Sequence, residues 1–330
     1  MKQLVRSVKI TGTGAYVPEI RVTNLDLEKK IDTNSKWIFE HLGINERRIA
    51  NKEQCTSDLA ALAGDMAIKN AGLDKDDIEL IIVATATPDR LAPSTASIVQ
   101  DKLQAYNAVA FDISAVCSGF LFAMSVASQY IASGVYNNVL VIGADTFSKI
   151  IDWERRDAVF FGDGAGAAVL TSATDNEGFL AYRLYTDGRG KYEFTIPAGG
   201  SELPANQDTI DNKLHYFKMN GKAVYDTATK VLPIAINQVL TDTNMTIDEI
   251  DLMIPHQPSI KILKKTAEIL GFPFEKVMTN MDRYANTSGG TIPILLHETL
   301  ISGKIKKGSN ILFAAVGSGW TYGAAIIKWG

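Results

Sequence analysis

The sequence has little cysteine, no large excess of charge of either sign, and no apolar run long enough to cross a membrane. Only Cys55 and Cys117 occur among 330 residues, which argues against a disulfide framework and favours a reducing compartment. Lys and Arg number 33 against 37 Asp and Glu, and a net charge of −4 does not suit a nucleic-acid-binding protein. Residues 1–12 lack the apolar stretch of a signal peptide. We therefore expect a soluble, cytoplasmic protein without membrane insertion.

The sequence also lacks any Cys and His cluster with metal-ligand spacing, so we expect no metal site. Helical periodicity and short β-rich runs alternate instead. The helical pattern SDLAALAGDMAIKNAGL (57–73) precedes the strand pattern IELIIVATA (78–86), and YNNVLVIGAD (136–145) is a second strand pattern. Such alternation predicts an α/β fold, and the chain is long enough for a large core.

Two stretches of the chain repeat each other. DDIELIIVAT (76–85) aligns without gaps on DEIDLMIPHQ (248–257), and this offset of 172 places His256 opposite an alanine. YIASG (130–134) matches TLISG (299–303) at an offset of 169, which places Cys117 opposite Asn286. We predict a duplicated α/β unit, with halves 1–174 and 175–330, that brings the thiol, the imidazole and the amide together. Chance similarity between short α/β segments is the alternative.

Cys117 lies in FDISAVCSGF (111–120), where a strand pattern ends and a helix begins. The partial positive charge of a helix N-terminus stabilises a thiolate, and small neighbours leave backbone amides open. A lone buried cysteine is more often a small packing residue. His256, in MIPHQPS, follows an apolar strand, and Asn286, in YANTSGGTIP, opens a turn before a helix. Each alone is commonly structural, whereas the three together indicate a nucleophile with two polar partners.

Motifs along the whole chain carry a family resemblance. They are KITGTGAYVPE (9–19), SKWIFEHLGINERRIA (35–50), AVCSGF (115–120), FFGDGAGAAVL (160–170), PHQPSIKI (255–262), YANTSGG (284–290) and GSGWTYGAA (317–325). In this order they resemble the 3-oxoacyl-(acyl-carrier-protein) synthase III family of the thiolase superfamily. The resemblance implies a thiolase-like, five-layered αβαβα fold built from two similar halves, and usually a homodimer.

The resemblance also implies a reaction. Cys117 is similar to the family's acyl-accepting nucleophile, which takes an acyl group from acyl-coenzyme A. A malonyl thioester on acyl carrier protein then loses CO2, and the His256 imidazole and the Asn286 amide, as neutral donors, stabilise the enolate oxygen. Backbone amides of Cys117 and of the turn Gly317, Ser318 and Gly319 are expected to hold the oxyanion that forms on the acyl group. No metal or redox cofactor is implied.

Substrate contacts follow from the same resemblance. Trp37 and Arg155 are similar to the pair that holds the adenine of coenzyme A, although core packing and a solvated surface are the ordinary alternatives. We also expect Ser259 and Lys261 to contact substrate. Together with Lys264 and Lys265, Lys261 forms a basic helix face suited to an acidic carrier protein, or simply to solvent.

Several positions depart from the family pattern. Pro258 and Ser259 replace the usual Ala-Asn after His-Gln, while Lys261 and His41 each replace an arginine. Ala92 stands where many members carry an aromatic that closes the acyl pocket from the partner subunit, so we expect room for a longer primer. These departures keep open a specialised ketosynthase of polyketide-like or quinolone-like synthesis, an acyltransferase without condensation, and a noncatalytic scaffold. Residues 96–103 and 108–114 are expected in a homodimer interface.

Overall fold

The computed structural model describes residues 6–173 and 177–330. The strands are β1 Ser7–Tyr16, β2 Ile20–Thr23, β3 Glu46–Ile49, β4 Leu80–Ala84, β5 Val109–Ile113, β6 Asn138–Thr146, β7 Asp163–Ala173, β8 Gly178–Thr186, β9 Phe194–Thr195, β10 Lys218–Met219, β11 Leu252–Pro255, β12 Asn310–Gly317 and β13 Thr321–Lys328. The helices are α1 Asn24–Glu28, α2 Ser35–Leu42, α3 Thr56–Asn70, α4 Thr95–Leu103, α5 Gly119–Ala132, α6 Gln207–Asp211, α7 Gly221–Thr243, α8 Ile260–Leu270, α9 Met281–Tyr284 and α10 Thr291–Ile301. The expected boundary between residues 174 and 175 lies outside the described residues.

The first sheet has five strands in the order β1-β7-β6-β4-β5. Strand β4 runs parallel to both β5 and β6, whereas β7 runs antiparallel to β6 and to β1. All five residues of β4 are buried, because the sheet is covered by helices on both faces and a continuous apolar run fits such a strand. Within the described part of the chain, β5 pairs only with β4 and forms the edge of the sheet.

The second sheet has four strands in the order β11-β12-β13-β8. Strand β11 runs parallel to β12, and β13 runs antiparallel to β12 and β8. The order and directions repeat those of β4, β6, β7 and β1 in the first sheet. Strands β4 and β11 begin at Leu80 and Leu252, and β6 and β12 begin at Asn138 and Asn310. Both pairs keep the offset of 172 found in the sequence, so the predicted duplication is confirmed.

Helices cover both sheets and separate them. Helix α3 packs on the outer face of the first sheet, α7 packs on the outer face of the second, and α5 and α10 contact strands of both. The two central helices are apolar on most faces, because protein surrounds them and no solvent-facing stripe remains. The layers are therefore helix, sheet, helices, sheet and helix, which confirms the expected five-layered αβαβα fold.

A short 3₁₀ turn precedes each central helix. Val116–Ser118 leads into α5, and Ser288–Gly290 leads into α10 at the same offset of 172. The first residue of each turn has a left-handed backbone, with φ 47° at Val116 and 51° at Ser288. The offset of 169 found in the sequence arises because α10 has 11 residues and α5 has 14. The counterpart of Cys117 in the repeat is therefore Gly289, and the pairing of Cys117 with Asn286 was wrong.

Candidate active site

A cavity of about 260 Å³ lies where the two halves meet. Cys117 from the first half and His256 and Asn286 from the second line it together, so the structure brings these three predicted residues to one cavity. Most of the remaining wall is apolar and includes Phe160, Phe161, Phe194, Met219, Val224 and Trp320. An apolar cavity with three convergent polar side chains is suited to a small or chain-like substrate.

Cys117 lies in the turn before α5, and its side chain is buried. Burial raises the pKa of the thiol to about 12, hydrogen bonding with Ser288 and Asn286 partly opposes that rise, and the charge of Asp145 adds to it. The Sγ atom lies 3.7 Å from Ser288 Oγ. The helix N-terminus was expected to lower the pKa of this thiol. The pKa is raised instead, because the loss of hydration on burial outweighs the helix dipole. At neutral pH the side chain is a thiol.

His256 follows β11, and its backbone N–H donates to Ala314 O on β12 at 2.8 Å. Burial lowers the pKa of the imidazole to about 3, so the ring is neutral near pH 7. Its Nδ1 atom lies 2.7 Å from Thr291 Oγ1, at the start of α10. That contact turns one edge of the ring toward the helix and leaves Nε2 for the cavity.

Asn286 is held at both ends. Its backbone N–H donates to Phe160 O at 3.0 Å, and its carbonyl oxygen accepts from Gly162 N–H at 3.1 Å. The side-chain Oδ1 accepts from Ser288 N–H at 2.8 Å. Because the oxygen of the amide is occupied by a backbone donor, the Nδ2 group is the part available to the cavity. The site therefore presents a donor at this position.

Asp145, at the end of β6, was not identified from the sequence. Its Oδ1 accepts from the backbone N–H groups of Ala86 and Thr87, and its Oδ2 accepts from Gly289 N–H at 2.9 Å. The Ser288 side chain also hydrogen-bonds this carboxyl group. Burial raises the pKa of Asp145, and these donors lower it in part. The carboxylate ties the turn Ser288–Gly290 to the first sheet and so fixes the segment that faces Cys117.

The segment Gly317–Gly319 lies beside Cys117. A Cβ atom on Gly317 would lie 3.0 Å from the amide nitrogens of both Cys117 and Ser118, closer than side chains ordinarily approach. Glycine at this position therefore permits the backbones to meet. Gly317 and Ser318 line the cavity, and Gly319 follows them with φ 131°.

Trp37 lines the mouth of the cavity and carries two stacked groups. The His41 ring lies 4.7 Å from the indole at 17°, and Arg156 Cζ lies 4.1 Å from its centroid. Arg155, the predicted partner, instead pairs with Asp157 through two hydrogen bonds of 3.2 and 2.7 Å. In this structure the cation stacked on the indole is Arg156, and a sandwich of adenine between Trp37 and Arg155 stays a prediction. The Asp157 carboxylate binds the Arg155 guanidinium in a bidentate pair, which holds Arg155 away from the indole.

The other predicted substrate residues lie in different places. Ser259 and Lys261 both line the cavity, and Ser259 Oγ also caps α8 by accepting from Ile262 N–H at 3.4 Å. Ala92 is exposed and is not part of this chain's cavity, and its neighbour Leu91 is 88% exposed. A contact of Ala92 with the cavity of a second subunit stays a prediction.

Within the described ranges, no three His, Cys, Asp or Glu side chains are grouped so that they can hold a metal ion. In the same ranges, no helix is long and apolar enough to cross a membrane.

The sequence is similar to families and proteins of known name. A family model described as 3-oxoacyl-[acyl-carrier-protein (ACP)] synthase III matches residues 111–188, and the model of its C-terminal part matches residues 240–329. The beta-ketoacyl-[acyl-carrier-protein] synthase III of Caldanaerobacter subterraneus subsp. tengcongensis is 47% identical over 321 residues, and the alignment covers 97% of each chain.

Solved structures give the same result. The 3-oxoacyl-[acyl-carrier-protein] synthase III of Aquifex aeolicus VF5 superposes with a TM-score of 0.90 at 41% identity, covering 98% of this chain and 100% of its own. The priming beta-ketosynthase from the R1128 polyketide biosynthetic pathway superposes with a TM-score of 0.91 at 28% identity, covering 98% and 97%.

Proposed function

The chain belongs to the 3-oxoacyl-[acyl-carrier-protein] synthase III family and is an acyl-transferring condensing enzyme of fatty-acid synthesis initiation, and from this premise we propose which residues carry out each step. One observation supports the assignment most strongly. Cys117, His256 and Asn286 share a single cavity with apolar walls, although they come from different halves of the chain. Two-step condensation requires a nucleophile that accepts the acyl group and hydrogen-bond donors that stabilise the enolate oxygen.

In the first step, Cys117 Sγ attacks the carbonyl carbon of an acyl-coenzyme A. The new bond from Sγ to carbon forms as the coenzyme A thioester bond breaks, and the Sγ proton passes to the coenzyme A sulfur. One thioester replaces another, so the exchange costs little free energy. The backbone N–H of Cys117 and those of the turn Gly317–Gly319 are our candidates for holding the oxyanion, because the two segments lie side by side.

In the second step, malonyl thioester on acyl carrier protein loses CO2, and the electron pair of the broken bond forms an enolate. Asn286 Nδ2–H and His256 donate to the enolate oxygen as neutral groups, which stabilises its charge without a strong acid nearby. The enolate carbon then attacks the acyl group on Cys117, and the thiolate that leaves takes a proton from water. Decarboxylation supplies the electron pair, so the step calls for no metal or redox cofactor.

Substrate binding is assigned to the mouth of the cavity. Trp37 and Arg156 are proposed to hold the adenine of coenzyme A, since an indole and a guanidinium can stack on a flat base. Ser259 and Lys261 line the same opening. Lys261 and Lys264 are exposed on α8, and we propose that they receive the acidic surface of acyl carrier protein.

A homodimer is proposed across the edge of the first sheet. Among the described residues, β5 is paired on one side only. Val109, its first residue, is 50% exposed, and Tyr106, just before it, is 64% exposed. An open strand edge with apolar side chains is a ready surface for pairing with a second copy. In such a dimer the exposed loop with Leu91 and Ala92 can reach the neighbouring cavity. A cytoplasmic location is proposed on the two free cysteines.

Intact-mass analysis with a panel of acyl-coenzyme A primers, followed by CO2 release from malonyl-acyl carrier protein, tests the proposal. We expect one acyl adduct, located on Cys117, and CO2 release that depends on it. An adduct without CO2 release or condensation would identify an acyltransferase, and no adduct at Cys117 with any primer would refute the covalent route. Preference for long primers would point to a specialised ketosynthase, which the similarity to a polyketide priming enzyme favours as the second candidate.

A further inference from the structure

The Thr291 hydroxyl has one hydrogen and two possible partners: the Ser288 carbonyl oxygen, to which it can donate, and His256 Nδ1, which accepts or donates according to the ring tautomer. Its Oγ1 lies 2.7 Å from His256 Nδ1 and 2.9 Å from Ser288 O. Ser288 O also accepts from the backbone N–H of Thr291. The carbonyl therefore has a donor whichever way the hydroxyl turns, and the shorter contact is the one to the imidazole.

The repeat provides a second, independent observation. The counterparts of His256 and Thr291 in the first half, at the offset of 172, are Ala84 and Gly119. A Cβ on Gly119 would lie 3.0 Å from the Ala84 Cβ, so these two positions are in contact in the first half as well. The first half fills that contact with the smallest side chains, and the second half fills it with an imidazole and a hydroxyl. The duplicated backbone thus places residue 291 against residue 256, and the polar pair is particular to the half that supplies His256.

We propose that Thr291 is a positioning residue that donates its hydroxyl hydrogen to His256 Nδ1 and thereby keeps the ring proton on Nε2, facing the cavity. A neutral imidazole carries one ring proton, so an Nδ1 that accepts leaves Nε2–H as the donor. The inference rests on the proposed function, in which His256 donates to the enolate oxygen. It explains how a neutral histidine acts as a donor there: without a partner at Nδ1, the ring proton can occupy either nitrogen, and only one of the two forms stabilises the enolate.

Three variants and one spectroscopic measurement test this role. Thr291→Val keeps the shape of the side chain and removes the hydroxyl, whereas Thr291→Ser keeps the hydroxyl. Thr299→Val is the matched control, because Thr299 is a buried threonine of the same helix whose hydroxyl donates to Leu295 O at 2.6 Å. Long-range ¹H–¹⁵N spectra of histidine-labelled protein report which ring nitrogen carries the proton, and His256→Gln identifies the signals of His256 among those of four histidines.

In the wild type we expect Nε2 protonated and Nδ1 unprotonated. Thr291→Val should give a mixture of the two His256 tautomers and slow decarboxylation by roughly tenfold or more, which is part of the loss seen when an oxyanion donor is removed. Acylation of Cys117 should not change. Thr291→Ser should restore both the spectrum and the rate, and Thr299→Val should change neither.

A wild-type His256 protonated at Nδ1 would overturn the inference, as would a Thr291→Val variant with an unchanged spectrum, whatever its rate. The tautomer is read without turnover, so this result is separate from the proposed function, which fails if the wild-type enzyme forms no acyl adduct at Cys117.

Discussion

The two halves of this molecule have nearly the same backbone and different chemistry. Strands β4, β6 and β7 are repeated by β11, β12 and β13, and each half leads through a short turn with a left-handed first residue into a central helix. At matching positions the first half has Cys117 and Ala84 where the second has Gly289 and His256. Duplication therefore supplied the geometry twice. In the proposed mechanism, the nucleophile comes from one half and the groups that act on the second substrate come from the other.

The halves differ again at the sheet edge. The first half has strand β5 beside β4, with Ile81 paired to Ala110. At the matching edge of the second half, the segment beside β11 forms no strand among the described residues. There, β11 makes only an isolated bridge between Met253 and Val277. The first half therefore ends in a regular edge strand, and the second half does not. In our proposal, this edge strand gives the first half the dimer interface as well as the nucleophile.

The largest effect is expected at Cys117, the proposed nucleophile of the first half. Cys117→Ala should remove the acyl adduct and lower condensation by about 10³-fold or more, because an amino acid without a thiol cannot form the thioester. Cys55→Ala is the control, since Cys55 lies at the start of α3 and is the other free thiol. Intact mass and condensation rates check both variants. Ordinary turnover by Cys117→Ala would remove the covalent step from the mechanism.

The second half should fail in a different step. His256→Ala and Asn286→Ala should each lower malonyl decarboxylation by about a hundredfold, because the enolate oxygen loses a donor. Acylation of Cys117 should be affected much less, since neither group bonds the acyl carbonyl in the proposed mechanism. Single-turnover acylation and CO2 release, measured on the same preparations, separate the two steps. Equal losses in both steps would contradict the assignment of roles.

The third effect concerns the length of the primer, which Ala92 would set if the proposed dimer forms at the open edge of the first half. If Ala92 faces the partner's cavity, a methyl group replaces an aromatic ring, and three or four more methylenes of the primer can be buried at about 0.8 kcal/mol each. Octanoyl-coenzyme A should then acylate Cys117 in preference to acetyl-coenzyme A by roughly tens to a few hundredfold. Ala92→Phe should lose the long primers only. Acylation rates for acetyl, butyryl and octanoyl primers provide the measurement.

Leu91→Ala is the companion variant, because Leu91 is the neighbouring side chain that can fill the same space. If the parent accepts acetyl alone and Leu91→Ala gains the longer primers, Leu91 closes the pocket. An unchanged primer profile in Ala92→Phe would show that Ala92 does not set its length.

The fourth effect concerns folding stability at low pH, which should fall because His256 of the second half is buried as a neutral imidazole. Burial lowers the pKa of His256 from its ordinary value of 6.5 to about 3, so the unfolded chain binds the proton more readily between these pH values. Folding stability from this group is complete above pH 6.5 and falls as the pH drops toward 3. Between pH 8 and 5 the wild type should lose about 2 kcal/mol more than His256→Gln. Urea unfolding at both pH values measures the difference, and parallel losses would contradict the buried neutral state.

The smallest effect concerns the cavity mouth, which the first half builds from Trp37 and Arg156. Arg156→Ala should raise the KM for acyl-coenzyme A severalfold without changing kcat, since one cation stacked on an aromatic ring contributes about 1 kcal/mol. Arg155→Ala is the matched control, because Arg155 pairs with Asp157 instead. An acyl-pantetheine primer, which has no adenine, should respond to neither variant. A raised KM only in Arg155→Ala would reverse the assignment.

The sequence predicted the alternation of helices and strands, the repeat and the three cavity residues, because these depend on local periodicity and on motifs that can be read in a short window. It did not reveal Asp145 or Thr291. Asp145 reaches Gly289 across 144 residues, and Thr291 reaches His256 across 35, so no local pattern marks either contact. The choice between Arg155 and Arg156 depended on the direction of two neighbouring side chains, which the motif does not specify.

By itself the sequence determined the α/β class and the duplication, because apolar runs with strand and helix periods are buried in layers. The five-layered αβαβα order followed from the family resemblance of its motifs. The sequence also determined the family and the identity of the thiol, imidazole and amide. The tertiary structure alone decided the state of these groups. Burial raised the pKa of Cys117 and lowered that of His256, and the backbone of Ser288 turned the Asn286 amide toward the cavity. Protonation and hydrogen bonding depend on the solvent and dipoles around a group, and those are set only when distant segments pack together.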